Sequence, residues 1–195
     1  MTEFDAFAGY PEPKEPRLVS AHTRTIFNRI AASYRDHEFY DGERINGYGG
    51  MNNDGRWKPI AKQMVEHYKL HKGSHILQIQ AHKGFLLGEF AKLGMYVLGT
   101  ETSLYAIQNS DVMLFHAPQM KLPFNNAHFD LVIGVSSVYT LNLADAIQSL
   151  KEIERVGKGK SFITLAAYEN EDDFDGLRLL RYWFLIGTTI LTKDD

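Results

Sequence analysis

Cysteine is absent from the 195-residue chain, which removes disulfides, thiolate nucleophiles and sulfur-ligated metal centres together and is compatible with a reducing compartment. A basic excess is missing too. The 21 Lys and Arg residues face 24 Asp and Glu, scattered rather than gathered into a stripe, and the formal charge is -3. Direct contact with DNA or RNA is therefore not expected. Long hydrophobic runs are lacking, since WFLIGTTIL near the end falls far short of the roughly 20 residues that cross a bilayer. The opening stretch MTEFDAFAGYPEPKEP holds acids and prolines and no basic segment followed by an apolar run, so it does not resemble a secretory leader. A soluble, cytoplasmic protein with neither a membrane nor a nucleic-acid partner is the expectation.

Several common chemistries are missing as well. His67 and His71 share a helical spacing but have no Glu to make H-E-x-x-H, so no metal is expected. Ser136 and Ser137 follow an apolar run, yet GVSSV is not a G-x-S-x-G elbow and no histidine lies downstream to complete that triad order. AHKG at 81–84 offers one lysine and one glycine, too little to cradle phosphates.

What is present fits one ordinary globular domain, with 44% apolar residues. Residues 1–17 read as an extended, wet arm, because Pro11, Pro13 and Pro16 deny regular structure. Residues 18–72 read as a helical, glycine- and aromatic-rich lid or cap. In it VSAHTRTIFNRIAASY, 19–34, predicts an amphipathic helix with Ile26, Ile30 and Tyr34 on one face; YDGERINGYGGMNNDGRW, 40–57, is a long loop; and Trp57 to Tyr68 is helical again. From 73 to 195 short apolar runs alternate with helical patterns. Strands are predicted near 76–79, 95–100, 112–117, 129–135 and 160–168, with helices at 84–94, 102–110 and 143–157, the last presenting Ala146, Leu150 and Ile153 on one face. Parallel strands joined by short helical crossovers make a three-layer α/β sandwich of Rossmann-like type, whose crevice lies at the carboxyl ends of the strands near Gln80, Glu101, Ala117 and Ser136.

Residues 73–168 resemble the core of a class I S-adenosylmethionine-dependent methyltransferase. The resemblance rests on an ordered set: QIQAHKG at 78–84 where that family has D-x-G-x-G-x-G, Glu101 closing the second strand after YVLGT, and LPFNNAHFDLVIG at 122–134. It implies that Glu101 meets the ribose hydroxyls and that Gly84 and Ala117 line the cofactor. It also locates departures. Gln78 replaces the family's acid within the first strand, Gln80 and His82 replace two loop glycines, and the acid expected beside Ala117 is missing. Side chains at 80 and 82 are expected to obstruct the ligand, and a left-handed backbone there carries about 1 kcal/mol of strain. Glu101 can equally cap the helix that starts near Thr102. Asp130 is expected to be structural.

By analogy with N-terminal extensions in that family, Tyr40, Tyr48, Arg56 and Trp57 are candidates to line an acceptor pocket, with packing of the loop as the plain alternative for Trp57. Tyr48, His82 and His116 are candidates to orient or deprotonate an acceptor. The resemblance further implies a helix and two strands beyond the fifth strand, and the expectation is that these elements are lacking here. An apolar strand edge is then covered by a partner, by residues 177–190, or by a longer native chain. Self-association or pairing with a methyltransferase-like protein is the expectation. Two functions follow: a protein without ordinary cofactor binding, acting as a structural or regulatory subunit and needing no cofactor; or an active methyltransferase using S-adenosylmethionine in an altered pocket on a small molecule.

Overall fold

A computed structural model describes residues 4–8, 10, 11, 24–165, 167, 168, 191 and 192, the last four by backbone alone. Its centre is a five-stranded, fully parallel sheet in the order β3-β2-β1-β4-β5. The strands are β1 (His75–Ile79), β2 (Tyr96–Glu101), β3 (Leu114–His116), β4 (Leu131–Gly134) and β5 (Ser161–Ile163). Helices α1 (Ile26–Ser33), α2 (His37–Tyr40) and α3 (Trp57–His67) precede the sheet; α4 (Phe85–Lys92), α5 (Leu104–Gln108) and α6 (Leu143–Val156) are crossovers within it.

The sandwich follows from the strand pattern. On β1, Ile76 points into a cluster with Ile60, Met64 and Phe90 from α3 and α4, whereas Leu77 and Ile79 point into a second cluster with Ala146, Ile153 and Val156 from α6. Both faces of an all-parallel sheet must be covered, and the continuous apolar run supplies both. The LPF segment before β4 is tied to α6. Arg155 donates to the carbonyls of Leu122 at 3.0 Å and Phe124 at 2.8 Å, while Glu152 accepts the Leu122 N–H at 2.7 Å. Asp130 accepts the His75 N–H at 2.8 Å and pairs with Lys158 at 2.9 Å, a structural role that pins β1 beside β4.

Four expectations need correction. The fifth strand does not run from 160 to 168: β4 stops at Gly134, the left-handed Ser136 (φ 53°) turns the chain away, and pairing of β5 ends with it. Beyond, β6 (Ala167–Tyr168) pairs in parallel with β7 (Leu191–Thr192) in a separate two-stranded sheet. The helix predicted over 19–34 begins, within the described residues, at Ile26, where Thr25 and Asn28 form a capping box, and its apolar face looks outward. Ile26, Ile30 and Tyr34 are exposed because polar ties hold the helix the other way: Asn28 bonds Asn46 at 2.9 Å, and Arg24 donates to the Arg44 carbonyl at 2.8 Å. On α6, Leu150 is exposed and Ser149 and Glu152 are buried instead.

The fourth correction concerns the arm. Its described residues pack rather than float: Phe4 stacks on His67 with ring centroids 3.7 Å apart, Phe7 lies against Phe162 of β5 and Trp57, and Ala6 is buried. Apolar burial of two aromatic rings favours docking, and the intervening Asp5 stays exposed to water. At the same edge, Tyr68 Oη donates to the outward carbonyl of Ser161 at 3.1 Å, occupying one acceptor that β4 does not reach.

Candidate functional site

The carboxyl ends of β1, β2 and β3 meet in one place, and the loop 80–84 leaves β1 there. Gln80, His82 and Gly84 all have left-handed backbones, with φ of 51°, 53° and 73°. The alternation a glycine-rich loop adopts is therefore kept by two residues that carry a Cβ, at about 1 kcal/mol or more each. Glu101 supplies the compensation. Its Oε1 accepts the Gln80 amide at 2.9 Å and its Oε2 accepts the His82 N–H at 2.7 Å. The same carboxylate also accepts the N–H groups of Thr102 at 2.8 Å and Ser103 at 3.0 Å. Only 1% of Glu101 is exposed, so this buried charge is satisfied from four sides by the chain itself. It both ends β2 and holds the turn into α5.

Gly84 stays glycine for a packing reason. A Cβ there would stand 2.4 Å from Val112 Cγ2 and 2.9 Å from Ser110 Oγ, so the start of α4 could not lie against the 110–112 segment.

Above the loop sits an aromatic group from the N-terminal part of the chain. Tyr40, fully buried, shares a hydrogen bond with His82 Nδ1 at 3.1 Å and stacks with Tyr48 (5.9 Å between centroids) and Tyr105 (6.1 Å). Burial, reinforced by the charge of Glu101, drives the Tyr40 hydroxyl far above its usual range, so it keeps its proton. Burial pushes the His82 imidazole down to about 4 despite the neighbouring Glu101, and the ring is neutral at pH 7.

The segment is locked by an ion pair that the sequence pattern did not expose. Lys83, itself buried, donates to Asp41 at 2.7 and 2.6 Å and to the Met51 carbonyl at 3.1 Å. Asp41 also accepts Tyr105 Oη at 2.6 Å and the Met51 N–H at 3.1 Å. Burial would raise the Asp41 carboxyl, but the hydrogen bonds from Lys83, Tyr105 and Met51 together hold it below its usual value. The sequence signal was indirect: a lysine beside the one glycine of the loop that follows the first strand, and an aspartate heading a glycine-rich segment.

The structure thus gathers Tyr40, Tyr48, Gln80, His82, Gly84 and Glu101. Ala117 joins them at the next strand, its N–H donating to the Glu101 carbonyl at 3.2 Å. His116 lies at the end of β3, exposed, its Nε2 3.1 Å from the Thr102 carbonyl and two strands away from β1. Arg56 and Trp57 go elsewhere. Arg56 pairs with Asp54 and bonds Tyr10 Oη at 3.0 Å, and Trp57 packs against Phe7 and Tyr10 of the arm. They serve the arm's docking, which is the plain alternative for Trp57.

A family model described as a methyltransferase domain matches residues 77–165, the stretch from β1 to just past β5. Solved structures agree. A candidate methyltransferase from Bacillus halodurans superposes with a TM-score of 0.58 at 16% identity, covering 69% of this chain and 64% of its own. The described core has a class I methyltransferase-like fold. The YcgJ protein of Bacillus subtilis matches this fold at a TM-score of 0.57 and 15% identity, over 69% of this chain and 62% of that one. A chain of the Haloferax volcanii complex between the Trm112 methyltransferase activator and a candidate methyltransferase matches at 0.54 and 20% identity, over 72% and 68%. The chain spans about three fifths to two thirds of the length of these methyltransferase-like structures. No curated protein matches it.

Proposed function

We propose that this methyltransferase-fold protein does not take S-adenosylmethionine in the usual pose and works as a structural or regulatory subunit of a protein partner. The observation that carries the reading is the Gln80–Glu101 contact. In the family the acid at the end of the second strand meets the ribose hydroxyls; here the Gln80 amide, 2.9 Å from Oε1, takes that oxygen together with the Thr102 and Ser103 N–H groups, and the His82 N–H bonds Oε2. A ribose would have to displace Gln80 and leave its amide unpaired in a buried place, which costs about 1–3 kcal/mol. His82 and Tyr40 add a second obstruction, held down by the Asp41–Lys83 pair. The residues as arranged do not fit the cofactor, and residues 41–51 act as a cap fixed over the crevice.

A protein partner is supported by the edge of the sheet. Among the described residues no strand of the main sheet pairs with the outer side of β5. A chain of the same fold assembles with the Trm112 methyltransferase activator in the Haloferax volcanii complex. A second copy of this chain or a methyltransferase-like protein would be the matching occupant.

The second reading, an active methyltransferase with an altered pocket, has one observation in its favour. The backbone at 80, 82 and 84 keeps the left-handed alternation that cofactor loops use, so a rotation of the Gln80 side chain would clear Glu101 without refolding the loop. In that case this chain's residues would orient an acceptor. His82, with its imidazole near 4, is a poor base, which leaves Tyr48 and His116. Titration calorimetry with S-adenosylmethionine and S-adenosylhomocysteine separates the readings. The leading one expects no saturable heat below about 1 mM, the weak end of the usual affinity scale. Saturable binding that Glu101→Ala weakens would establish the other.

A further inference from the structure

We propose that the groove between α3 and α4 is a binding site for a small, soluble, phosphorylated polyhydroxy compound such as a sugar phosphate. The groove has a volume of about 460 Å³ and is lined by Asn53, Lys58, Lys62, Glu89, Lys92 and Leu93. That volume falls in the range of small-ligand pockets and exceeds what a bare phosphate needs. The site stands apart from the crevice at the strand ends, because it uses the C-terminal half of α4 rather than its start.

The charges decide the class of ligand. Glu89 is buried and pairs with Lys92 at 2.6 Å, so these two cancel. Lys58 and Lys62 have no ion-pair partner among the described residues. They are four residues apart on α3, which puts them on one helix face, where like charges repel by a few tenths of a kcal/mol. A dianion set between them relieves that repulsion. Lys58 also lies in the first turn of α3, whose cap position, Arg56, makes no side-chain cap hydrogen bond; the positive end of the helix favours the same charge.

Two further groups select for hydroxyls. Asn53 Oδ1 accepts the Gly55 N–H at 3.2 Å, which leaves the amide Nδ2 as a donor. The Glu89 carboxylate gives Lys92 one oxygen and retains lone pairs for hydroxyl donors. Leu93 provides a wall for the carbon skeleton. A polynucleotide is a poor match, with only two unpaired cations here on a chain of formal charge -3.

The test is calorimetry of the full chain at constant ionic strength with glucose 6-phosphate, inorganic pyrophosphate and glucose, together with flotation of phosphatidic-acid vesicles. Saturable binding of glucose 6-phosphate and no binding of glucose are expected. The exposed-site variant Lys58→Gln/Lys62→Gln should weaken binding at least about tenfold, in line with losing charge-assisted hydrogen bonds. Gln80→Gly/His82→Gly should leave it unchanged. Absence of saturable phosphate binding, equal binding by the lysine variant, or association with vesicles alone overturns the proposal. Pyrophosphate binding without sugar phosphate overturns the polyol part.

Discussion

Gln80 and Glu101 are joined side chain to side chain at 2.9 Å across the ends of β1 and β2, in a place closed to solvent. This contact converts a carboxylate that could serve a ligand into the tie that steadies a strained loop. Removing it by Glu101→Ala strips the acceptor from Gln80, His82, Thr102 and Ser103 at once. Unfolding in urea should show a loss of about 2–4 kcal/mol, the cost of leaving several buried donors unmade. A loss under 0.5 kcal/mol would mean that the loop is held by something else.

The Asp41–Lys83 pair should behave as a coupled unit. Each side chain has further partners, Tyr105 and Met51 for Asp41 and Met51 for Lys83, so single alanine substitutions break several contacts. A double-mutant cycle of Asp41→Ala and Lys83→Ala should give a coupling of about 1–3 kcal/mol, and each single variant should speed proteolysis in residues 41–51. Additive effects would contradict a lock between cap and loop.

His82 makes stability depend on pH. Its folded-state value, about 4, lies below the ordinary 6.5, so between these values the unfolded chain takes up a proton that the folded chain refuses. Stability is then full above pH 6.5 and falls as the pH drops toward 4, with a slope of at most about 1.4 kcal/mol per unit from this group. His82→Gln should flatten that part of a stability profile measured by urea unfolding. A profile of unchanged slope between pH 6.5 and 4 would rule out a buried neutral ring.

The sheet was legible in the sequence because parallel strands covered on both faces read as short apolar runs: Ile76 to Ile79, Val97 to Thr100 and Leu131 to Gly134 all fall where the pattern places strands. Helix α6 was legible from its period and from Gly157 at its end, whereas the Asn142 cap became visible only in the structure. Its buried face was only partly so, since Glu152 earns burial through a distant backbone N–H at Leu122, and no local pattern marks that. The substitutions at 80 and 82 were visible, as was the candidate role of Glu101. What the Gln80 amide does was not, because the contact spans 21 residues and depends on a backbone conformation that sequence can only permit. Asp41 and Lys83 meet across 42 residues, and the arm's Phe4 finds His67; both are products of tertiary packing that local propensity does not encode.

The most direct measurement is calorimetry of S-adenosylhomocysteine binding to the Gln80→Gly/His82→Gly variant beside the unaltered chain. Glycine at both positions keeps the left-handed turn, frees the Glu101 carboxylate and removes the ring beneath Tyr40. The account predicts saturable binding by the variant and none by the parent at the same concentrations. Equal binding by the two, at any affinity, would contradict it.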